Sequence, residues 1–390
     1  MKKFPHGCFL PLNAIAVHPQ GFPHFCLTST LKTGATLNEF AEARREIHQQ
    51  LLKGEWPATC TRCFNKEKRN LQSRRTRTWE RKIKMYGREK AEALVLGQSE
   101  PTIRHLEISF SNVCNLTCGM CSSEFSTSWI APDKAAIAQG LEFREFTTPF
   151  HRVARVSPAL LEEVFAHVDD LDLIIIKGGE PTREPLCLNF LAELVKRRSK
   201  PGPFVFLQSN GTRHPKEWLK GLDSLQLEIG FSLDGWGPVN DWIRGSRFEQ
   251  VVSHMEYLDT VPFVRNLTID FTLSAYNVFH LREFIEGIIS LRDRLKKDLT
   301  CPVFQWVQQP YSSPLALRAE DRLAIEKECR PLLEANPKLF LNFENLLEVL
   351  RQPQAESAQV KKCSDWLEYM NGMRKEHLPY QERLAQSLTY

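Results

Sequence analysis

Short apolar runs alternate with amphipathic stretches through the middle of the chain. The runs at 103–110, 171–176, 204–208, 225–232, 267–275 and 302–308 read as strands. Between them, apolar positions recur at helical spacing. Ser157 is a cap followed by Pro158 at the first helical position, leading into 160–167; Pro185 opens 186–197 in the same way, and 280–297 carries a third stripe. Six strand and helix units in alternation predict an α/β fold with a parallel sheet. In such folds ligands bind at the carboxyl ends of the strands. The flanks differ: residues 14–22 read as a hairpin turning at Pro19 to Gly21, residues 97–101 as a boundary, and the C-terminal part as helices over 319–335, 341–351 and 360–375.

The chain has 390 residues, 42% hydrophobic and 25% charged, enough for a large core and two or three structural units. Pro5, His6, Pro11 and Asn13 interrupt any signal-peptide core and no run approaches a membrane span, so a cytoplasmic protein without a membrane partner is expected. Eleven cysteines in close-spaced groups fit metal binding in a reducing compartment better than disulfides. The net charge of +4 is too small to imply nucleic acid, and none is expected as a partner. A local excess of cations between Lys66 and Lys90, including Arg74, Arg75, Arg77, Arg81 and Lys82, reads as a solvated helical face. Docking of an acidic electron donor, or contact with a phosphate-bearing or acidic substrate, are its functional alternatives.

The strand ends carry the candidate chemistry. Cys114, Cys118 and Cys121 follow the first strand, and three ligands are informative, because a closed zinc or iron-sulfur site takes four and three leave one position of the centre open. Gly119 suits a sharp turn within the loop. A zinc loop with a distant fourth ligand, or a run of buried thiols, is the plain alternative. The second strand ends in Lys177, Gly178, Gly179 and Glu180, where two glycines admit a ligand close to the backbone and a carboxylate can meet an ammonium. The third ends in Ser209, Asn210, Gly211 and Thr212, also readable as an Asn-Gly turn. The fourth ends in Ser232 and Asp234, with helix capping as the alternative for Asp234, and Arg244 downstream is either a carboxylate ligand or a surface ion-pair partner. The fifth and sixth lead to Asn277 and Tyr311.

The CxxxCxxC loop, the Gly178-Gly179-Glu180-Pro181 segment and the Ser232 to Gly235 segment together resemble the motifs of the radical SAM superfamily. The resemblance implies a partial (β/α)6 barrel over residues 98–315, with Cys114, Cys118 and Cys121 holding a [4Fe-4S] cluster whose fourth iron is chelated by S-adenosylmethionine. It places Gly178, Gly179 and Glu180 at the methionyl amino group, and Ser209 and Asn210 near the ribose and carboxylate. Ser232 would face the carboxylate, Asp234 the ribose or the substrate cavity, and Asn277 the adenine edge. Met120 stands where the family usually has an aromatic residue beside the adenine, and its polarizable thioether can lie against a ring.

Cys8, Cys26, Cys60 and Cys63 make a second group, and four thiols make a closed site. Their spacing resembles the start of SPASM and Twitch auxiliary-cluster domains, the shorter Twitch type more closely. That implies a second [4Fe-4S] cluster within residues 1–97, ahead of the core rather than after it; zinc is the alternative. Residues 316–390 form a helical extension. Cys187, Cys301, Cys329 and Cys363 read as small buried residues, with hydrogen-atom donation to a substrate radical as the alternative for Cys187 and Cys363.

The expected function is reductive cleavage of S-adenosylmethionine to a 5′-deoxyadenosyl radical that abstracts a hydrogen from a peptide or protein side chain. The auxiliary cluster would handle electrons in an oxidation or cross-link, and a flavodoxin- or ferredoxin-type protein would donate them. A sugar or other small-molecule substrate is the alternative within the class. A non-catalytic iron-sulfur electron-transfer protein, and nucleic-acid modification through Arg74, Arg75 and Arg77, are alternatives outside it.

Overall fold

All six apolar runs are strands in the computed structural model, which describes residues 7–18, 23–26, 37–69, 71–98, 102–139 and 152–389, with the backbone alone for 37–40 and 303. The expected hairpin turn at Pro19 to Gly21 and part of the 97–101 boundary lie outside the described residues. The chain divides into two units: Met1–Asn112 with Ala154–Leu207 and Gly221–Gln226, and Val113–Val153 with Gln208–Lys220 and Leu227–Tyr390.

In the first unit the strands are β1 (Ala14–Val17), β2 (Pro23–His24), β3 (His105–Ile108), β4 (Leu173–Ile176) and the first four residues of β5 (Phe204–Ser209), in the order β2-β1-β3-β4-β5. β1 and β2 are antiparallel, as a hairpin requires, but β1 also pairs in parallel with β3. The N-terminal hairpin thus extends the parallel sheet of this unit, a long-range pairing that local patterning does not reveal. Its register sets Ala14 beside His105 and Ala16 beside Glu107, so small side chains flank two large buried polar ones. The caps are as expected: the Ser157 hydroxyl accepts from the Leu160 N–H at 3.2 Å to open Pro158–Phe165, and Glu184 accepts from the Leu186 N–H at 3.2 Å to open Pro185–Arg197.

The cation-rich segment departs from expectation. It forms the Arg74–Tyr86 helix, started by a capping box between Ser73 and Thr76, but several of its cations point inward. Arg74 pairs with Glu107, which also pairs with Lys177 and is 3% exposed. The Arg75 Nε donates to Glu67 Oε1 at 3.0 Å and its terminal nitrogen to the Gly7 carbonyl at 2.9 Å. Lys82 is fully buried, with Nζ 4.5 Å from the Phe9 ring centroid and 5.3 Å from that of Tyr86. The apolar side of the helix supplies Trp79 to a core with Phe9, Phe25, Ile47 and Leu94. Arg74, Arg75 and Lys82 are therefore not on a solvated face, and Arg74 holds the helix to β3, whereas Lys66, Lys68, Lys84, Arg88 and Lys90 are exposed as expected.

In the second unit β6 (Gln226–Ser232), β7 (Val264–Leu273) and β8 (Leu299–Trp306) are parallel and adjacent in that order. β8 starts before the expected residue 302. Pro302 has no N–H for a ladder, but β8 ends the strand order, and there a proline is tolerated. Of the C-terminal helices, Ala319–Ala335 has the expected bounds, the next two are Glu344–Leu350 and Ser357–Arg374, and a further helix, Gln381–Ser387, was not anticipated. Buried Arg322 joins them by donating to the carbonyls of Leu317, Val349, Leu350 and Gln352. Among the described residues no helix is long and apolar enough to cross a membrane.

Burial lowers the Lys82 ammonium from 10.5 to about 7, against the opposing pull of Asp172. Between these values the unfolded chain binds a proton that the folded chain does not, so stability rises with pH across this window and is lost as pH falls through about 7. Lys82→Met should flatten that rise, whose upper bound is about 5 kcal/mol. Urea unfolding of both proteins at pH 7, 8 and 9 measures it, and parallel slopes would contradict this account.

Candidate active site

The loop that follows β3 has no regular secondary structure from Cys114 to Cys121, so its backbone groups need partners from elsewhere. Five of its carbonyls have them. The Cys114 carbonyl accepts from the hydroxyls of Ser128 at 2.8 Å and Thr127 at 3.3 Å, and that of Leu116 accepts from Ser126 at 2.6 Å. The Thr117 carbonyl takes the Arg374 guanidinium, and the Cys118 carbonyl the Trp129 indole N–H at 3.1 Å. The Gly119 carbonyl takes the Trp366 indole N–H at 2.9 Å and the Ser312 hydroxyl at 3.3 Å. The Gly119 N–H donates to the Ile243 carbonyl at 2.7 Å.

Gly119 itself corrects an expectation. It is not among the glycines with positive φ, and an added Cβ would lie 3.4 Å from the Met370 terminal methyl, which is ordinary contact. The loop is turned by its external hydrogen bonds, not by a glycine-only conformation. Arg374, Trp366, Trp129 and Ser312 were not among the residues the sequence pointed to. Arg374 and Trp366 lie more than 240 positions from the loop, and no local motif marks them.

Cys118 is buried, while Cys114 and Cys121 are partly exposed. Burial raises the Cys118 thiol, and the nearby Arg244 and Arg374 guanidiniums oppose that rise. Asn210 is directed at the loop: its amide nitrogen is 3.8 Å from Cys114 Sγ and 3.0 Å from Asn115 Oδ1, while its oxygen accepts the N–H and hydroxyl of Thr212 at 3.0 and 2.7 Å. The turn reading of this segment also holds, since Gly211 has φ +72° and a Cβ there would meet Val251 at 2.7 Å. The Ser209 hydroxyl accepts from the Gly211 N–H at 3.0 Å.

Asp234, Arg244 and Asn277 form a buried lattice behind the loop. Asp234 accepts from Arg244 at 2.5 Å and from the Thr272 N–H at 2.9 Å. Asn277 donates to the carbonyls of Asp234 and Thr272 at 2.8 and 2.9 Å and accepts from the Ser274 N–H at 2.8 Å. Arg244 is thus not a surface cation: one terminal nitrogen is held by Asp234, its Nε has no partner among the described residues, and both amide hydrogens of Asn277 are committed to the backbone. Ser232 is partly buried, with its hydroxyl 3.3 Å from Gln208 Nε2; Met120 is half-buried. Tyr311 is buried against Trp366 at 5.3 Å between centroids.

Gly178, Gly179 and Glu180 belong to the first unit. Both glycines have positive φ, +85° and +57°, and a Cβ on Gly178 would come within 2.4 Å of the Ser109 hydroxyl, so that position requires glycine. Glu180 is 1% exposed, and its Oε1 accepts the N–H and hydroxyl of Thr182 at 3.1 and 2.6 Å. In the same unit Cys8, Cys26, Cys60 and Cys63 line one cavity together with Phe25, Trp56 and Arg75. Burial pushes the Cys60 thiol up to about 12, and that of Cys8 further. Cys187, Cys301, Cys329 and Cys363 are buried, as expected of small core residues. Among the described residues no three His, Cys, Asp or Glu side chains stand ready to hold a single metal ion. The donor chemistry does fit iron-sulfur groups: three thiols on one braced loop, and four thiols around one cavity.

Residues 108–273 match the family model described as the Radical SAM superfamily. The matched segment contains Cys114, Cys118, Cys121, Gly178 to Glu180, Ser209, Asn210, Ser232 and Asp234; it stops short of Asn277 and excludes the four N-terminal cysteines. No curated protein matches the chain. Among solved structures, that described as "Native anSMEcpe with bound AdoMet" is similar at 18% identity and TM-score 0.44, over 63% of this chain and 66% of that one. Streptococcus suis SuiB bound to precursor peptide SuiA is similar at 15% identity and TM-score 0.39, over 68% and 55%. This chain thus spans less than two thirds of either chain. The α/β class expected from the sequence, with mostly parallel strands and a helical C-terminal region, stands.

Arg374→Leu should leave the carbonyls of Thr117 and Trp242 without their guanidinium partner. The expected cost is about 2–4 kcal/mol in urea unfolding, with faster alkylation of Cys118 in the folded protein. An alkylation rate equal to that of the parent would mean that Arg374 does not brace the loop.

Proposed function

We propose that this chain is a radical SAM enzyme whose Cys114, Cys118 and Cys121 hold a [4Fe-4S] cluster that binds S-adenosylmethionine. The observation that carries the reading is the three-thiol loop, held rigid by external donors within the segment that matches the family. When bound, the cluster supplies an electron that splits S-adenosylmethionine into methionine and a radical able to abstract hydrogen from a substrate.

The chain's own residues bind, orient and exclude water. Asn210, oriented by Thr212, covers the Cys114 sulfur, and Trp129 and Trp366 wall the loop with apolar surface while fixing its carbonyls. Glu180 presents its carboxylate to the methionyl ammonium, with Gly178 and Gly179 admitting the ligand to the backbone. Ser209 and Ser232 offer hydroxyls to the ribose and carboxylate, and Met120 packs beside the adenine. Asp234 acts through Arg244 and the Thr272 N–H, holding the strand ends in place. Asn277 has one carbonyl lone pair left for an adenine edge.

Cys8, Cys26, Cys60 and Cys63 hold a second [4Fe-4S] cluster in a Twitch-like region over residues 1–97, ahead of a core over 98–315 and a helical extension over 316–390. Four protein ligands leave that cluster no open iron, so its role is to pass electrons during oxidation of a peptide or protein side chain. The electron for cleavage of S-adenosylmethionine comes from a flavodoxin- or ferredoxin-type donor, and those released by substrate oxidation leave through the four-thiol centre.

Anaerobic reconstitution with iron and sulfide, followed by S-adenosylmethionine and dithionite, tests the assignment. The expected result is about eight irons per chain and formation of 5′-deoxyadenosine, falling to about four irons and none of the nucleoside when Cys114, Cys118 and Cys121 are replaced by alanine. Four irons alongside one zinc would make the N-terminal site structural. An intact cluster that leaves S-adenosylmethionine uncleaved would refute the enzymatic reading.

A further inference from the structure

The four-thiol cavity opens beside an unusual surface. Cys60 and Cys63 are only partly buried, and Cys63 lies on the Thr61–Lys68 helix. The other face of that helix exposes Arg62, Phe64, Lys66 and Lys68. Arg62 also lines the cavity. None of Arg62, Lys66 and Lys68 forms an ion pair among the described residues, and the helix's single acid, Glu67, is turned inward onto Arg75 and Ser73. Phe64 is 38% exposed amid these cations, its ring 5.4 Å from that of Trp56, another cavity-lining residue.

Solubility alone accounts for exposed lysines but not for an exposed aromatic ring set among unpaired cations over a cavity of thiols. An apolar centre with a charged surround is the anatomy of a docking surface. Cations of one sign steer an acidic partner toward it. The inward-facing Arg74, Arg75 and Lys82 take no part, because their charges are used inside the fold.

We propose that the exposed face of the Thr61–Lys68 helix docks an acidic one-electron carrier protein, so that electrons enter the chain at the four-thiol centre. The inference rests on the reading of that centre as an iron-sulfur cluster. In each transfer the carrier loses one electron and the centre gains one, with no bond made or broken. The other occupants such a surface would suit, a single-stranded nucleic acid or an acidic peptide, have no need of a thiol cavity beneath it.

The test uses reconstituted full-length protein and purified flavodoxin as the acidic carrier. Binding is measured by titration calorimetry at about 50 and 300 mM salt, chosen to bracket strong and weak screening. The combined variant Arg62→Glu, Lys66→Glu and Lys68→Glu is compared with a charge-matched control, Lys220→Glu, Lys327→Glu and Lys338→Glu, on exposed sites elsewhere. The proposal expects salt-sensitive binding by the parent and the control, at least tenfold weaker binding by the triple variant, and slower one-electron reduction of the N-terminal centre in the Cys114, Cys118 and Cys121 alanine background. A neutral triple, with glutamine at the same positions, should show an intermediate loss and guards against misfolding of the glutamate variant. Equal binding by parent and triple variant, or equally tight charge-dependent binding of an oligouridine, would overturn the proposal. Iron and sulfide counts on the same samples separate the two readings: about eight irons, or about four in the alanine background, with flavodoxin binding unchanged in the triple variant refutes the docking surface alone, and zinc in place of iron at the N-terminal site refutes the cluster beneath it.

Discussion

Everything at the candidate site depends on hydrogen bonds made to a loop that cannot make its own. Between Cys114 and Cys121 the backbone is irregular, and buried carbonyls without partners each cost on the order of 1–3 kcal/mol. Their donors come from three directions: hydroxyls and the indole of the 126–129 segment, the indole and guanidinium of the Ser357–Arg374 helix, and Ser312. The thiols therefore do not sit on a flexible loop awaiting a cofactor. They project from a backbone already fixed, which reduces the ordering that ligand binding would otherwise require. The helical C-terminal region is part of the site's construction and not an appendage to it.

Charge is handled differently in the two units. In the second, Asp234 and Arg244 neutralise one another while Asp234 orders Thr272, and Asn277 donates to the carbonyls of Asp234 and Thr272. A buried pair of this kind is weak evidence for stability but strong evidence for a fixed arrangement, since removing either member leaves the other uncompensated. In the first unit the cations of the Arg74–Tyr86 helix meet Glu107 and Glu67 or lie against aromatic rings. The neighbouring Thr61–Lys68 helix keeps its cations outside. Two adjacent basic helices thus have different tasks, and composition alone cannot divide them.

Much of the architecture was legible in the chain. Strand positions, the helix starts at Ser157 and Pro185 and the helix at Ala319–Ala335 follow from local periodicity and local hydrogen bonding, which short windows contain. The glycine requirement at Gly178 and Gly211 was legible as motif but acquired its cause only from Ser109 and Val251, which crowd those positions. The motif also led to a wrong reason at Gly119, where long-range partners rather than backbone freedom shape the turn.

By itself the sequence determined which residues carry thiols and carboxylates, their order at the ends of successive strands, and the alternation that makes a parallel sheet. These are properties of spacing and side-chain chemistry, fixed once the chain is written. Only the tertiary structure decided that β1 joins β3, that Cys8, Cys26, Cys60 and Cys63 face one cavity, and that Arg374 and Trp366 hold the cysteine loop. It also decided that Arg244 is committed to Asp234 and that Arg74 turns toward Glu107. Each of these is a pairing between positions far apart in the chain, and its energy exists only when both partners are brought out of water together.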